Sequence, residues 1–575
     1  MKQSDHGTSN LLTHARHHHK DVVEALIKAH NQGRNVQAEF AGLVAGMQLP
    51  SQASKARLTG HGFVIRPREH VKLQKELALL VCMVGENIPF NLLDSPLFTN
   101  WMGTLNTVYP SRSTIMKLLP LVYEIVSSHY EQIIRESGVV TLTFDLWTSL
   151  AATKYLVVTY ELVDDLFRRH SLPLDLIAIH GGAFGESIAV LIRGRLTMRK
   201  LDHVLVASTV SDSGSNCVLA KSLLTEGDEE PCFLHNNDHV VKDTLSDMTL
   251  AIGKDFSALV SVIGAIRASS QLRAALAERC IGDVPQLELI LPSETRWIDY
   301  FRALERAQQL ASALQSLWED GNLEAKLGTV PADFLCEEFW ERIQIYTGIL
   351  KKFYLVSRNA QALSSPTLAC VPRWISELRK TCVRKESDST VAAELKEALL
   401  SRINERLSVF VKITEGVLPN AIKAALLDPR ESHWMQEELS AESLQVAVDA
   451  IVADTVALFG DEGDPMVALM ETTMKGGSTT VLKLLSEAAL PHDADALKWW
   501  ANFSITSDPR RTGLLQPWCR AARMFLAMPA GSSPSEFAFS ATTNIVTKKR
   551  TLLADETLAM AFTVHHYVKD KAFNF

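Results

Sequence analysis

The sequence predicts an α/β fold combined with an all-α region, in which a large helical insertion interrupts the α/β core. Four segments have the pattern of β-strands: residues 139–147, 155–163, 171–180 and 203–210. A helical pattern at 186–201 precedes the fourth strand. Helical spacing of apolar residues then dominates from Ser269 to about Pro509, and a last helix pattern follows the Gly, Ser and Pro residues at 529–536.

The order strand, strand, strand, helix, strand is the opening topology of the RNase H fold. The first strand shows a two-residue period, with Leu142, Phe144 and Leu146 alternating against Thr141, Thr143 and Asp145. In this topology the ends of the first and fourth strands lie side by side. Asp145 and Asp212 occupy those two places, so we expect their carboxylates to be neighbours.

Two neighbouring carboxylates favour a divalent cation, because two negative charges at one place are costly without a counter-charge. Mg²⁺ or Mn²⁺ is the expected partner, since such ions take oxygen ligands and keep waters for a substrate phosphate. A third carboxylate would complete a two-metal site. The alternative is structural: Asp145 is then a solvent-facing strand residue, and Asp212 caps a helix or closes a turn.

Composition and charge limit the class of protein. The chain has 575 residues, of which 47% are hydrophobic and 22% charged, as in ordinary globular proteins. It has no apolar run long enough for a membrane span, and we expect no secretion signal. The eight cysteines form no CxxC pair, which favours reduced thiols in the cytosol or nucleus.

The charge is unevenly distributed along the chain. Residues 1–75 contain eleven Lys and Arg against five Asp and Glu, although the whole chain has a formal net charge of −8. A basic arm on an acidic body is typical of a nucleic-acid anchor. A solvated leader segment is the alternative explanation.

Seven motifs occur in the order found in hAT transposases, and the resemblance covers roughly residues 85–570. They are FDLWTS (144–149), VSDSGSN (210–216), CFLH (232–235), ETRWIDYFRALER (294–306), LLDPR (426–430), LKWW (497–500) and PAGSSPSEFAFS (529–540). The resemblance implies a nuclear transposase that cleaves and transfers DNA strands with Mg²⁺ or Mn²⁺. It also implies a homodimer or higher homo-oligomer.

The resemblance assigns roles to individual residues. Asp145, Asp212 and Glu536 match the three catalytic, metal-binding acids. Cys232 and His235 match a CxxH motif beside the active site, where the chain meets DNA. In the Thr-Arg-Trp motif, Arg296 accompanies Trp297, and Trp297 matches a tryptophan that stacks against a displaced base.

Each of these assignments has a structural alternative. Ser533 to Glu536 also form a capping box, in which Glu536 would only satisfy a backbone amide. Trp297 would more commonly be a core residue. Cys232 and His235 could be zinc ligands, but no second ligand pair lies at suitable spacing, so a zinc site is not expected there.

The first residues resemble the second half of a BED-type zinc finger. His14 and His19 have the histidine spacing of such a finger, with His18 as a second candidate. The preceding cysteine pair is missing, and a structural zinc site normally needs four protein ligands. An exposed His-rich helix is therefore the favoured interpretation, and zinc binding is doubtful.

The predicted organisation has five parts. These are a finger remnant (1–32), a helical DNA-binding region (60–135), the first part of the RNase H-like core (136–300), a helical insertion (301–484) and a C-terminal dimerisation region (485–575) that returns Glu536 to the core. Three departures from the family pattern put activity in question: Phe537, Ala183-Phe184 and Asn237-Asp238-His239. The alternative function is a catalytically silent, transposase-derived protein that binds DNA and dimerises.

Overall fold

The computed structural model describes most of the chain from Pro67 onward. The described ranges are 67–105, 108–149, 152–225, 229–282, 284–293, 297–321, 334–414, 418–459, 465–504, 509–545 and 554–570. Three of the predicted site residues, His14, His19 and Arg296, lie outside these ranges. The predicted finger remnant at 1–32 lies outside them as well.

The chain divides into two compact units. The first unit takes in the chain up to Tyr160, Ser171–Leu205 and the chain from Pro534 onward. The second unit consists of Glu161–His170 and Val206–Ser533. The first unit therefore combines segments from both ends of the sequence.

Strands and flanking helices make up the first described part of the chain. The helices are α1 (Pro67–Gly85), α2 (Pro96–Thr104), α3 (Arg112–Ser137) and α4 (Gly185–Met198), with a 3₁₀ turn at Phe90–Asp94. The strands are β1 (Val139–Thr148), β2 (Lys154–Val163), β3 (Arg169–Ile179), β4 (Leu205–Ser211) and β5 (Glu229–Pro231). Gly138 ends α3 in the left-handed conformation (φ 71°), which glycine adopts without steric cost, and β1 begins at the next residue.

The strands form a five-stranded sheet in the order β3-β2-β1-β4-β5. The predicted succession of three strands, a helix and a fourth strand is confirmed, and so is the prediction that the first and fourth strands are neighbours. β5 was not predicted. It pairs in parallel with β4, with Thr209 opposite Glu229 and Ser211 opposite Pro231.

The polar side of β1 is not an exposed side. Thr141 and Thr143 are as inaccessible as Leu142 and Phe144, with exposures of 0–1%. The two-residue period therefore marks chemically different faces that are both covered, as in sheets with helices on both sides.

The remaining described elements are helical and confirm the prediction for the middle of the chain. In the second unit they are α5 (Ser215–Leu224), α6 (Phe233–Leu245), α7 (Ala251–Ala268), α8 (Ser270–Arg279), α9 (Trp297–Gln309), α10 (Ala311–Glu319), α11 (Glu337–Ala360), α12 (Val371–Thr381), α13 (Thr390–Arg406), α14 (Asn420–Leu427), α15 (Ser432–Glu438), α16 (Ala441–Phe459), α17 (Pro465–Ala488), α18 (Ala496–Ser504) and α19 (Pro509–Ala527), with 3₁₀ turns at Leu368–Cys370 and Ser408–Phe410. The helices α20 (Ser533–Ile545) and α21 (Asp555–Asp570) follow. None of the described helices has both the length and the apolar character needed to cross a bilayer.

Candidate catalytic site

Asp145 lies near the end of β1 and is half-buried. The backbone N–H of Leu146 donates a hydrogen bond to its Oδ1 atom at 2.8 Å. Because side chains alternate along a strand, Asp145 is on the same face of β1 as Thr143 and Trp147. The side chain is thus partly exposed, and the alternative of Asp145 as a solvent-facing strand residue stays open.

Ser535 attaches the start of α20 to this face of β1. Its Oγ atom lies 2.8 Å from Oγ1 of Thr143, and both side chains are fully buried. Thr143 also contacts the hydroxyl of Thr159 on β2. Glu536 is the next residue after Ser535, so a buried hydroxyl pair fixes the backbone of the predicted catalytic glutamate.

An aromatic contact attaches α20 to the same face one turn later. The rings of Trp147 and Phe539 have centroids 5.9 Å apart, and Phe539 belongs to a buried apolar cluster of the first unit. The other buried members of this cluster are Tyr155, Val157, Leu176, Ala538, Leu558 and Phe562.

These two contacts bracket the predicted acids. Asp145 lies between Thr143 and Trp147 along β1, and Glu536 lies between Ser535 and Phe539 along α20. Glu536 is half-buried and is within one helical turn of Phe539. The first unit thus presents Asp145 and Glu536 along one strand and the helix that packs on it.

The capping-box interpretation of Glu536 requires Ser533 as the cap. In the structure α20 already includes Ser533, and the Ser533 Oγ atom is buried without a hydrogen-bond partner among the described residues. Its side chain therefore does not cap the amide of residue 536. This removes half of the reciprocal pair of bonds that defines the box.

Asp212 follows the last residue of β4 and is half-buried. The backbone N–H of Gly214 donates to Asp212 Oδ1 at 3.1 Å, which closes a tight turn before α5. The predicted turn role is thus present. It does not exclude a second role, because a carboxylate has several lone-pair directions.

Cys232 connects the CxxH motif to the loop in front of α20. Its Sγ atom accepts a hydrogen bond from the backbone N–H of Ser532 at 3.5 Å and lies 3.7 Å from Ser532 Oγ. The backbone N–H of Phe233 donates to Ala530 O at 2.8 Å. Cys232 is only 1% exposed, so it positions this loop and offers no surface to DNA in this conformation.

His235 is on the first turn of α6, and its Nε2 atom lies 2.9 Å from Nε2 of His239. Burial lowers the pKa of His235, and the positive charges of His239, Lys242 and Arg406 act in the same direction. The negative charge of Asp212 opposes them. Asp212 and His235 are therefore close enough to influence one another. The pairing of His235 with His239 was not predicted.

Trp297 is fully buried in the second unit. Its indole Nε1 donates to Ser357 Oγ at 3.1 Å, and Ser357 also accepts from Asn237 Nδ2 at 2.8 Å. The ring packs edge-on against Phe301. An indole with no exposed face cannot stack on a base, so this conformation favours the core interpretation, and base stacking stays a prediction.

Within the described residues, no group of three or more His, Cys, Asp or Glu side chains is close enough to hold a metal ion. Comparison with protein-family models and with curated proteins gives no match for this chain. The functional assignment therefore depends on the residues themselves and on their arrangement.

Proposed function

We propose that this chain is an hAT-like DNA transposase, or a recent derivative of one, with an RNase H-like core that cleaves and transfers DNA strands. Asp145, Asp212 and Glu536 are the proposed metal-binding acids. The observation that carries the proposal is the hydrogen bond between Thr143 and Ser535, at 2.8 Å. It associates the helix of Glu536 with the strand of Asp145, although local sequence gives no reason for the two to meet.

The donor set suits Mg²⁺ or Mn²⁺. Such ions take oxygen ligands, and Mg²⁺ is usually held by one or two protein carboxylates together with waters and substrate phosphates. A complete cage of protein ligands is therefore not needed before DNA binds. When bound, the ion activates water or a 3′-hydroxyl and stabilises the leaving oxygen of the phosphodiester.

Other groups of the protein hold the three acids in position for the reaction. The Leu146 amide orients the carboxylate of Asp145, and the Gly214 amide orients that of Asp212. The buried hydroxyls of Thr143 and Ser535 fix the backbone next to Glu536. Positioned carboxylates of this kind reduce the reorganisation that a charged transition state would otherwise require.

The test is nicking of supercoiled plasmid DNA by the full-length protein with Mg²⁺ or Mn²⁺. We expect Asp145→Asn and Glu536→Gln each to lower the rate by at least about 100-fold, because each removes a charged metal ligand. The control is Asp202→Asn, which changes an exposed aspartate and should leave the rate unchanged. Nicking that is equally fast in all four proteins would refute the assignment.

A catalytically silent protein that binds DNA and dimerises is the second candidate. The burial of Trp297 favours this candidate, because the transposase hypothesis requires the ring of Trp297 to be accessible to a DNA base. This candidate predicts retarded DNA in a mobility-shift assay with no nicking under any metal condition. Association through residues 485–570, which both candidates require, is tested by sedimentation of the full-length protein.

A further inference from the structure

The pair of histidines on α6 has a geometry that a metal ion would accept. His235 and His239 are one helical turn apart, and their Nε2 atoms face each other at 2.9 Å. Both side chains are only partly buried. The CxxH motif associates His235 with Cys232, whereas the structure pairs it with His239.

We infer that His235 and His239 form a two-histidine site for a divalent transition-metal ion of the Ni²⁺ or Cu²⁺ type. With metal–nitrogen bonds of about 2.0–2.1 Å, two nitrogens at right angles around the ion lie about 2.9 Å apart, and at the tetrahedral angle about 3.3 Å apart. The observed separation corresponds to adjacent positions of a square or octahedral ion. Tetragonal nitrogen and oxygen sites are those that Cu²⁺ and Ni²⁺ prefer.

The surroundings of the pair support ligation through the Nε2 atoms. Nδ1 of His239 lies 3.7 Å from a carboxylate oxygen of Asp243, and this carboxylate lies on the side of the ring away from His235. At this distance the contact is electrostatic and not a hydrogen bond, and a negative charge beside the ring makes the imidazole a better donor to a cation. Burial and nearby cations lower the pKa of His235, which favours the neutral form of the ring that a metal ligand must have.

Asp212 supplies an acidic group near the pair, since its charge acts on His235. The charges of Lys242 and Arg406 also act on His235 and oppose cation binding, and Arg406 is itself paired with Asp243 at 2.7 Å. Cys232 is not part of the set, because its buried Sγ atom contacts Ser532. Water would complete the coordination of the ion.

The competing explanation is a simple hydrogen bond between two neutral imidazoles. Titration with Ni²⁺, which does not oxidise the cysteines of the chain, distinguishes the two. Every protein in the comparison is full-length and carries His14, His17, His18 and His19 replaced by Gln, because that cluster would bind Ni²⁺ by itself. The background protein is compared with its His235→Gln, His239→Gln and His203→Gln variants by isothermal titration calorimetry.

We expect the tightest Ni²⁺ site of the background protein to lose at least tenfold in affinity in His235→Gln and in His239→Gln, whereas a weaker site at the three acids would be unchanged. His203 is an exposed histidine outside the pair, so His203→Gln should bind like the background protein. Ni²⁺ should also raise the thermal midpoint of the background protein but not that of His239→Gln.

Equal affinity in the background protein and in His239→Gln would overturn the proposal, and so would the absence of any site. If His235→Gln does not fold, His239→Gln decides the question, because the His239 side chain is 36% exposed and its replacement disturbs little packing. The readout is metal binding alone, so the result does not depend on whether the chain cleaves DNA.

Discussion

The Oγ1 atom of Thr143 lies 2.8 Å from the Oγ atom of Ser535, although 392 positions of chain separate the two residues. Both hydroxyls are buried, and an unmade hydrogen bond in such a place costs more than a surface one. This contact is what associates the candidate glutamate with the strand of the candidate aspartate. Its strength can be measured directly.

We expect Ser535→Ala to lower the free energy of unfolding of the full chain by about 1–2 kcal/mol, because it leaves a buried threonine hydroxyl with one partner fewer. The matched control is Ser540→Ala on the exposed side of the same helix, with an expected effect within about 0.5 kcal/mol. Urea denaturation followed by circular dichroism gives both values. Equal effects of the two substitutions would mean that the hydroxyl pair does not stabilise the helix.

Trp297 provides a test between a core role and a DNA-contacting role. Trp297→Phe removes the indole N–H that bonds to Ser357 and leaves a void, so we expect a loss of about 2–3 kcal/mol in unfolding free energy. Trp101→Phe changes a tryptophan that is 56% exposed and should cost less than about 0.5 kcal/mol. A Trp297→Phe protein with unchanged stability but weakened DNA binding would instead support base stacking.

Gly531 lies where a side chain has no space. A Cβ atom there would be 2.9 Å from Cys232 Sγ and 3.1 Å from a methyl carbon of Leu234. We therefore expect Gly531→Ala to destabilise the protein by about 1–3 kcal/mol. Gly348→Ala, in the middle of α11 with nothing within 4 Å of the new atom, should instead be stabilising by roughly 0.5–1 kcal/mol.

A double substitution tests whether the sulfur causes the crowding at Gly531. Cys232→Ala removes the nearest atom, so the double variant should lose less stability than the sum of the two single variants. Thermal melts of the four proteins are sufficient. Strict additivity would show that the backbone of the loop, and not the sulfur of Cys232, limits what residue 531 can be.

The buried carboxyl group of Glu431 should make the free energy of unfolding depend on pH. Burial raises its pKa from 4.5 to about 7, against the lowering effect of Arg373, whose Nε atom lies 2.6 Å from the carboxylate. A carboxyl group with a raised pKa holds its proton longer in the folded state than in the unfolded one. Its contribution to stability is therefore complete below about pH 4.5 and is lost as the pH rises through 7.

We expect the stability of the wild-type protein relative to Glu431→Gln to fall between pH 4.5 and 7, by at most about 1.4 kcal/mol per pH unit, and to level off above. His492 has a lowered pKa and contributes with the opposite sign in part of this range. Because its Nδ1 atom lies 3.1 Å from the Glu431 carboxylate, both proteins are compared in a His492→Gln background. Glu437→Gln, at a side chain that is 66% exposed, is the control and should show no such trend. A flat difference for Glu431→Gln would indicate that Arg373 keeps the carboxylate ionised throughout.

Local patterns in the sequence were sufficient for much of the fold. The strand containing Asp145 and the helical region after Ser269 follow from apolar periodicity, and the adjacency of β1 and β4 follows from the order of the elements. β5 was missed, because three residues, Glu-Glu-Pro, have neither a period nor strand-forming side chains.

The site was less accessible to sequence reasoning than the fold. Glu536 could be interpreted locally as a capping residue, but the Ser533 hydroxyl, which has no partner among the described residues, and the contact of Ser535 with a strand far away in the chain argue otherwise. Trp297 has no local signal that distinguishes a buried ring from an exposed one, since burial is decided by distant partners such as Ser357. One signal was present and unused: two histidines four residues apart on a helix, at positions 235 and 239, lie on the same face.

The separation of Thr143 and Ser535 in the sequence also determines how long a growing chain lacks the contact between them. A ribosome that adds about 5–20 residues per second needs roughly 20–80 seconds to make the 392 residues between them. During that time β1 exists without the helix that covers its threonine face, and the apolar surface left exposed beside that face is prone to aggregation. Newly made chains should therefore depend on chaperones more than a protein of the same size whose neighbouring elements are consecutive.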